Sequence, residues 1–362
     1  MLVREFDFDL PSELIAQEPS AERGGSRLLH LSRRTGAMTH ALVADLPSHL
    51  QPGDLVVVND TRVFPARLLG RRTPSGGAVE CLLVGRSSGA PPAGATAPAS
   101  HQWWDALVHP GQKLKPGARL VFGDEVNGLL HGEIVSRTSF GRRVVHLWTD
   151  RERSVDALID AIGHVPLPPY IKRPDAAGDR ERYQTVFAEQ RGSVAAPTAG
   201  LHFTHDLLER LHAKGVETTS ITLHVGYGTF QPVRVEQVEE HRLHAERYEI
   251  GQAAAETIQR ARDAGRRVIA VGTTTTRTLE AVARTHNGRI VAGSGETDLF
   301  IYPGFEFSVI SGLLTNFHVP RSSLLMLVSA FAGVDTIREA YRVAVAERYR
   351  FYSYGDAMLI TD

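Results

Sequence analysis

The chain is expected to be a mixed α/β protein with a small all-β body set into it, and three observations predict this. Gly53 to Asp60 (GDLVVVND) and Arg267 to Gly272 (RVIAVG) are short apolar runs with the pattern of a buried strand. The second runs straight into Thr273 to Thr276 and a helical pattern through Thr278, Leu279 and Val282, a strand-turn-helix joint. From Val63 to Thr149 the texture changes to six short β-type runs separated by Gly and Pro, with no helical period, which reads as a small barrel or sandwich.

Length supports the division. A chain of 362 residues exceeds what one hydrophobic core usually serves. Lys plus Arg number 40 against 41 for Asp plus Glu, so overall charge neither announces nor excludes a nucleic-acid partner. Cys81 is the single cysteine, which rules out an internal disulfide and a thiolate zinc cluster and suits a reducing compartment. MLVREFDFDLPSE lacks the apolar stretch of a signal peptide, and Leu324 to Ala332 is too short to span a bilayer. A soluble, cytoplasmic protein without membrane association is expected.

Taken in order, Pro11 with Glu13, Leu14 and Ile15 predicts a short helix, and Gly24-Gly25 ends it before a strand at Arg27 to Leu31. Asn59, Asp60, Thr61 and Arg62 gather at the carboxyl end of the GDLVVVND strand, where open α/β sheets bind ligands; an Asx turn explains the same residues. Residues 87–100, SSGAPPAGATAPAS, bury almost nothing and read as a mobile hairpin extension. The Pro-stiffened crossing at 162–175 carries Tyr170, Lys172 and Arg173. In SVAAPTAGLHFT, Ser193 to Thr204, an uncharged run with Pro197, Thr198, Gly200 and His202 meets a helix capped by Thr204 and stopped at Gly215. This stretch is the expected floor of an active site. The strand Val216 to Val225 puts Ile221, Leu223 and Val225 on one face and Thr222 and His224 on the other, then ends in Gly226, Gly228 and Thr229, where backbone can approach a ligand. His241 and His244 stand three apart, and on a helix they would share a face; a metal site lacks a third ligand of diagnostic spacing. The amides and hydroxyls after Gly272 form a cradle for a carboxylate or phosphate. GETDLFIYPG places Asp298 before an aromatic strand; Asn316, Phe317 and His318 end another before a helix begun by Ser322, and Ile337 to Val345 form a last amphipathic helix.

The blocks VVVNDTRVFPAR, RYQTVF, SVAAPTAGLHFT, LHVGYGTFQPVR, AVGTTTTRTLE, GETDLFIYPG, LLTNFHVPRSSLLMLVSAFAG and YSYGDAM together closely resemble the S-adenosylmethionine:tRNA ribosyltransferase-isomerases of queuosine biosynthesis. The likeness runs from FDFDLP to the C-terminus, with small departures at Tyr227, Leu243, Thr275 and Thr276 and a longer Ala/Pro tract. It implies an α/β domain assembled from both ends of the chain, 1–62 and 150–362, around an inserted β-barrel at 63–149. The implied reaction moves and isomerises the ribosyl part of S-adenosylmethionine onto the 7-aminomethyl-7-deazaguanine at the tRNA wobble position, releasing adenine and methionine. S-adenosylmethionine is then a co-substrate, with no permanently bound cofactor and no metal. The implied partner is a tRNA with a GUN anticodon, and a monomer is expected.

Such a reaction needs a base for the C5′ proton, an acid for the departing adenine and an anchor for the methionine carboxylate. His202 or His224 is assigned to proton transfer, with a structural role as the competing reading for each, and Asp60, Asp298 and Asp356 are the carboxylate candidates. Pro197, Thr198, Gly200, Gly226, Gly228 and Thr229 are expected around the adenosyl group, and Thr273, Thr274 and Arg277 at the methionine carboxylate. For tRNA the candidates are Arg62, Arg67, Lys172, Arg173 and Arg321 on phosphates, with Tyr183 and Phe230 stacking on bases. An ordinary S-adenosylmethionine-dependent methyltransferase, a metal-dependent hydrolase acting on RNA through His241 and His244, and a non-catalytic RNA-binding module are the alternatives.

Overall fold

The structure is a computed structural model that describes residues 1–87, 100–138, 141–150, 153–230 and 233–362, without the side chains of Thr229 and Phe230. Most of the 87–100 tract, and the side chains expected of Thr229 and Phe230 at a ligand or base, lie outside the described residues.

The strands are β1 (Arg27–Ser32), β2 (Met38–Leu42), β3 (Leu55–Asn59), β4 (Thr61–Val63), β5 (Arg67–Thr73), β6 (Ala78–Arg86), β7 (His101–His109), β8 (Arg119–Asp124) and β9 (Gly128–Arg137). They continue as β10 (Arg143–Trp148), β11 (Gln190–Ser193), β12 (Glu217–Leu223), β13 (Glu246–Ile250), β14 (Val268–Val271), β15 (Gly293–Thr297), β16 (Gly312–Asn316) and β17 (Ala357–Thr361). The helices are α1 (Leu46–His49), α2 (Val155–Ile162), α3 (Asp179–Arg182), α4 (His205–Ala213), α5 (Gln252–Asp263), α6 (Thr273–Thr285), α7 (Ser323–Ala332) and α8 (Val334–Ala346).

Contacts divide the chain into two compact units. The larger, residues 1–62, 168–173 and 181–362, holds a nine-stranded sheet in the order β15-β13-β12-β3-β14-β16-β17-β1-β2. β12, β3, β14 and β16 run parallel, so their carboxyl ends share one edge. Side chains alternate across this sheet because the strand period is two. Leu55 and Val57 of β3 and Val268 and Ala270 of β14 enter a core with α5, α7 and α8, whereas Val56, Val58, Ile269 and Val271 pack on the other side with α4. Both faces are covered, which is why these strands read as unbroken apolar runs.

The smaller unit, residues 63–167 and 174–180, is a closed barrel in the order β10-β7-β6-β5-β8-β9. Each of the six β-type runs in the sequence forms one of these strands. Inward positions are Leu68, Cys81, Leu83, Trp104, Phe122 and Ile134, all buried. The unit runs past the change of texture at residue 149 because α2, capped by Ser154 Oγ on the Ala157 amide, lays Leu158 against Gly128, and His164 exchanges backbone hydrogen bonds with Arg67.

Three local expectations change. The strand in GETDLFIYPG lies before Asp298, as β15 (Gly293–Thr297), and residues 299–302 form no strand. Pro11 precedes a single 3-10 turn, Ser12–Leu14, rather than an α-helix. The turn Val238–Glu240 stops before His241, so His241 and His244 sit on irregular backbone and the helical same-face argument does not apply to them.

Candidate active site

A cavity of about 180 Å³ lies at the carboxyl edge of the larger unit's sheet. Its apolar wall is Ala195, Ala196, Pro197, Ala199 and Val225, all but the last from the SVAAPTAGLHFT stretch. The lining also includes Gly272, Thr273 and Thr274 at the start of α6, with Gly272 beside Ala199, and Thr315, Asn316 and His318 at the end of β16. Arg321, Ser322 and Leu324 bring in the start of α7. Thr198, Val319, Pro320 and Ser353 also line it, as do Tyr170 and Tyr352, whose ring centroids are 3.8 Å apart; the Tyr170 hydroxyl is hydrogen-bonded to Ser353 Oγ.

The start of α6 is built as an amide cradle. Gly272 has φ 91°, a conformation that favours glycine, and carries no side chain to cap the helix. Thr275, Thr276 and Thr278 turn their hydroxyls back to the carbonyls of Val271, Gly272 and Thr274, leaving Thr273 and Thr274 toward the cavity.

His318, which sequence reasoning leaves without a function, lines the cavity. Its Nε2 is 2.9 Å from Thr315 Oγ1, and burial pushes its pKa down to about 3, so the ring is neutral. His202 closes the 3-10 turn Thr198–His202 behind the cavity wall, where burial pushes it down to about 4. Asn316 Nδ2 lies 3.3 Å from His202 Nε2, which makes that nitrogen the acceptor and places the ring proton on Nδ1.

His224 belongs to a second polar cluster at the same sheet edge. Its Nδ1 is 2.9 Å from Thr61 Oγ1, which is 2.9 Å from Ser193 Oγ; Ser193 Oγ accepts the Val225 amide at 2.7 Å. Thr222 Oγ1 donates to Asp60 Oδ1 at 2.7 Å. Burial, then the Arg247 charge, lowers the His224 pKa. Asn59 Oδ1 accepts the amides of Thr61 at 3.1 Å and Leu223 at 3.0 Å, so it forms the Asx turn and ties β3 to β12. The segment from Ser193 to Thr198 links this cluster to the cavity.

Other expected residues are placed elsewhere. Arg277 is buried in an ion pair with Glu246 at 2.6 Å and donates to the Leu299 carbonyl at 2.8 Å; one turn beyond Thr273, it leaves α6 toward β13 and β15 and does not reach the cavity. Asp356 accepts the amides of Arg27 at 3.0 Å and Arg350 at 2.8 Å, a structural clamp. Gly200 is required by packing, since a Cβ would meet Phe187 and Thr185 at 2.8 Å; Gly226 donates its amide to Glu246, and Gly228 lies against His244. Asp298 is exposed. Tyr183 is 0 % exposed with its ring edge on Tyr354, which removes it as a platform for a base.

Of the cationic candidates, Arg62 and Lys172 are exposed. Arg173 pairs with Glu18 at 2.7 Å, Arg321 pairs with Asp7, and in the barrel Arg67 holds Glu80 through two bonds of 2.8 and 3.0 Å. His241 packs on the edge of Phe300, and among the described residues no group of three or more His, Cys, Asp or Glu side chains is arranged to hold a metal ion. No described helix is long and apolar enough to cross a membrane.

Known proteins match this chain over nearly its whole length. A family profile described as "Queuosine biosynthesis protein" matches residues 3–360. The S-adenosylmethionine:tRNA ribosyltransferase-isomerase of Heliobacterium modesticaldum is 52% identical over 360 residues, 99% of this chain and 100% of that one. The protein of the same name from Moorella thermoacetica is also 52% identical over 360 residues, with the same coverage. The crystal structure of an S-adenosylmethionine tRNA ribosyltransferase from Thermotoga maritima is 38% identical, covers 98% of this chain and 99% of that one, and superposes with a TM-score of 0.54. With a mixed α/β unit, a closed six-stranded barrel and full-length identity near one half, the chain belongs to the queuosine biosynthesis protein family.

Proposed function

We propose that this chain transfers and isomerises the ribosyl moiety of S-adenosylmethionine onto the 7-aminomethyl-7-deazaguanine at the tRNA wobble position, giving epoxyqueuosine in the tRNA and releasing adenine and methionine. The observation that carries the reading is identity of about one half to ribosyltransferase-isomerases along their whole length. The donor is consumed, so it is a co-substrate. It enters the cavity at the sheet edge, with Pro197 and Thr198 beside the adenosyl group and the Thr273 and Thr274 amides at the methionine carboxylate.

His224 is the better proton-transfer group of the two assigned. Its ring is only partly buried and stands against Thr61, in the cluster that also holds Asp60. His202, with a pKa near 4, is a weak base and acts by positioning Asn316. Exposed Arg62 and Lys172 are assigned to phosphates of a tRNA with a GUN anticodon, and the chain acts as a cytoplasmic monomer.

One incubation with S-adenosylmethionine and tRNA carrying the aminomethyl deazaguanine tests the reaction. Adenine with methionine is the expected product pair; S-adenosylhomocysteine would mean methyl transfer and refute it. His224→Ala should lower kcat about 10²- to 10⁴-fold with KM for S-adenosylmethionine little changed; full activity would remove His224 from the chemistry.

A further inference from the structure

Among the described residues, none of the side chains lining the cavity is a carboxylate, so nothing there offers a formal negative charge to a net cation. Two helix N-termini reach it instead. In α6 the Thr276 amide bonds the Gly272 carbonyl, which leaves the amides of Thr273, Thr274 and Thr275 without intrahelical acceptors. α7 starts at the same cavity, with Ser322 and Leu324 in its wall. Both ends favour an anion.

Asn316 adds an independent feature. It is 2 % exposed, and its Nδ2 donates to the Tyr352 carbonyl at 3.1 Å as well as to His202. A carbonyl only accepts, which fixes the orientation of the amide. Oδ1 is thereby left buried with no hydrogen-bond partner, a costly arrangement unless a ligand brings a donor. Strand register sets it beside α6: β14 and β16 are parallel with Val271 opposite Leu314, and the Gly272 amide donates to the Leu314 carbonyl. Thr273 and Asn316 therefore follow at equivalent positions from strands about 4.8 Å apart.

An acceptor next to free amides suits an ammonium and a carboxylate carried on one carbon. We propose that Asn316 Oδ1 receives the α-ammonium of the methionine end of S-adenosylmethionine while the α6 amides hold its carboxylate, making Asn316 a specificity-determining residue for an α-amino acid. An adenine amino group would also match the acceptor, but it brings no anion for the two helix ends. The inference rests on the proposed function.

The test compares S-adenosylmethionine with its analogue bearing hydrogen in place of the α-amino group, using adenine release in the tRNA assay, with 5′-methylthioadenosine as an inhibitor that lacks the amino-acid end. For the unmodified protein kcat/KM should favour S-adenosylmethionine at least about tenfold. Asn316→Ala should bring the two within about twofold and leave inhibition by 5′-methylthioadenosine unchanged. Equal kcat/KM values in the unmodified protein would overturn the assignment without any variant. So would an Asn316→Ala protein that loses 5′-methylthioadenosine instead, since that places the acceptor at adenine. Adenine release from both substrates at equal efficiency would sink this inference alone, whereas no adenine release from either would sink the function itself.

Discussion

Replacing Arg277 by methionine separates a structural role from a binding role. Both side chains of the Arg277–Glu246 pair are 6 % exposed and their charged atoms are 2.6 Å apart. Removing the guanidinium leaves the Glu246 carboxylate buried without its countercharge, a loss of about 3–5 kcal/mol. At about 2–4 °C per kcal/mol for a unit of this size, the melting temperature should fall by roughly 6–20 °C. Adding Glu246→Leu should recover most of that, because replacing both charges by apolar groups removes the buried carboxylate along with its lost guanidinium. Differential scanning calorimetry reads the stability and a titration of S-adenosylmethionine reads KM. A single variant with its melting temperature within 2 °C of the parent and a raised KM would refute the reasoning and return Arg277 to the methionine carboxylate.

Two further outcomes follow from the histidines. A Cβ at Gly192 would lie 2.5 Å from His224 Cε1, so Gly192→Ala should displace the ring and lower kcat at least tenfold in the tRNA assay with a small change in melting temperature; unchanged kcat would detach the ring's position from the chemistry. His202 and His318 are buried with pKa values pushed down to about 4 and about 3, so the unfolded chain binds their protons first. Their stabilisation is complete above about pH 6.5 and is lost as pH falls toward 4, by about 1.4 kcal/mol per histidine already at pH 5.5. The urea midpoint should fall between pH 7.5 and pH 5, and less steeply for His318→Gln; a midpoint independent of pH across that range would contradict the burial argument.

What could be read from the chain followed the range of the interactions. The barrel strands and the Val271-Gly272-Thr273 joint are local: alternation, turn residues and a run of threonines after a glycine lie within a few residues of one another. The Arg277–Glu246 pair is not legible in sequence, because Glu246 comes from another strand and nothing near Arg277 signals that its charge is already matched. Tyr183 looked like a stacking ring because a tyrosine suits a wet edge as well as a core. The unpartnered Asn316 oxygen is invisible in sequence, since it follows from two acceptors, Tyr352 and His202, that arrive from distant segments. His318 had a readable signal, its place at a strand end before the α7 cap, but that signal is shared by many residues with purely structural roles.

The place of β17 bears on how the chain is made. It lies between β16 and β1, pairing Leu28 with Ala357 on one side and Leu313 with Ile360 on the other. During synthesis β1 and β16 each present an open edge until residues 357–361 leave the ribosome, while the barrel strands find partners among near neighbours. The barrel can mature early, and the larger unit stays vulnerable to mispairing until its last strand arrives. A nascent chain stalled before Ala357 should therefore be the aggregation-prone species.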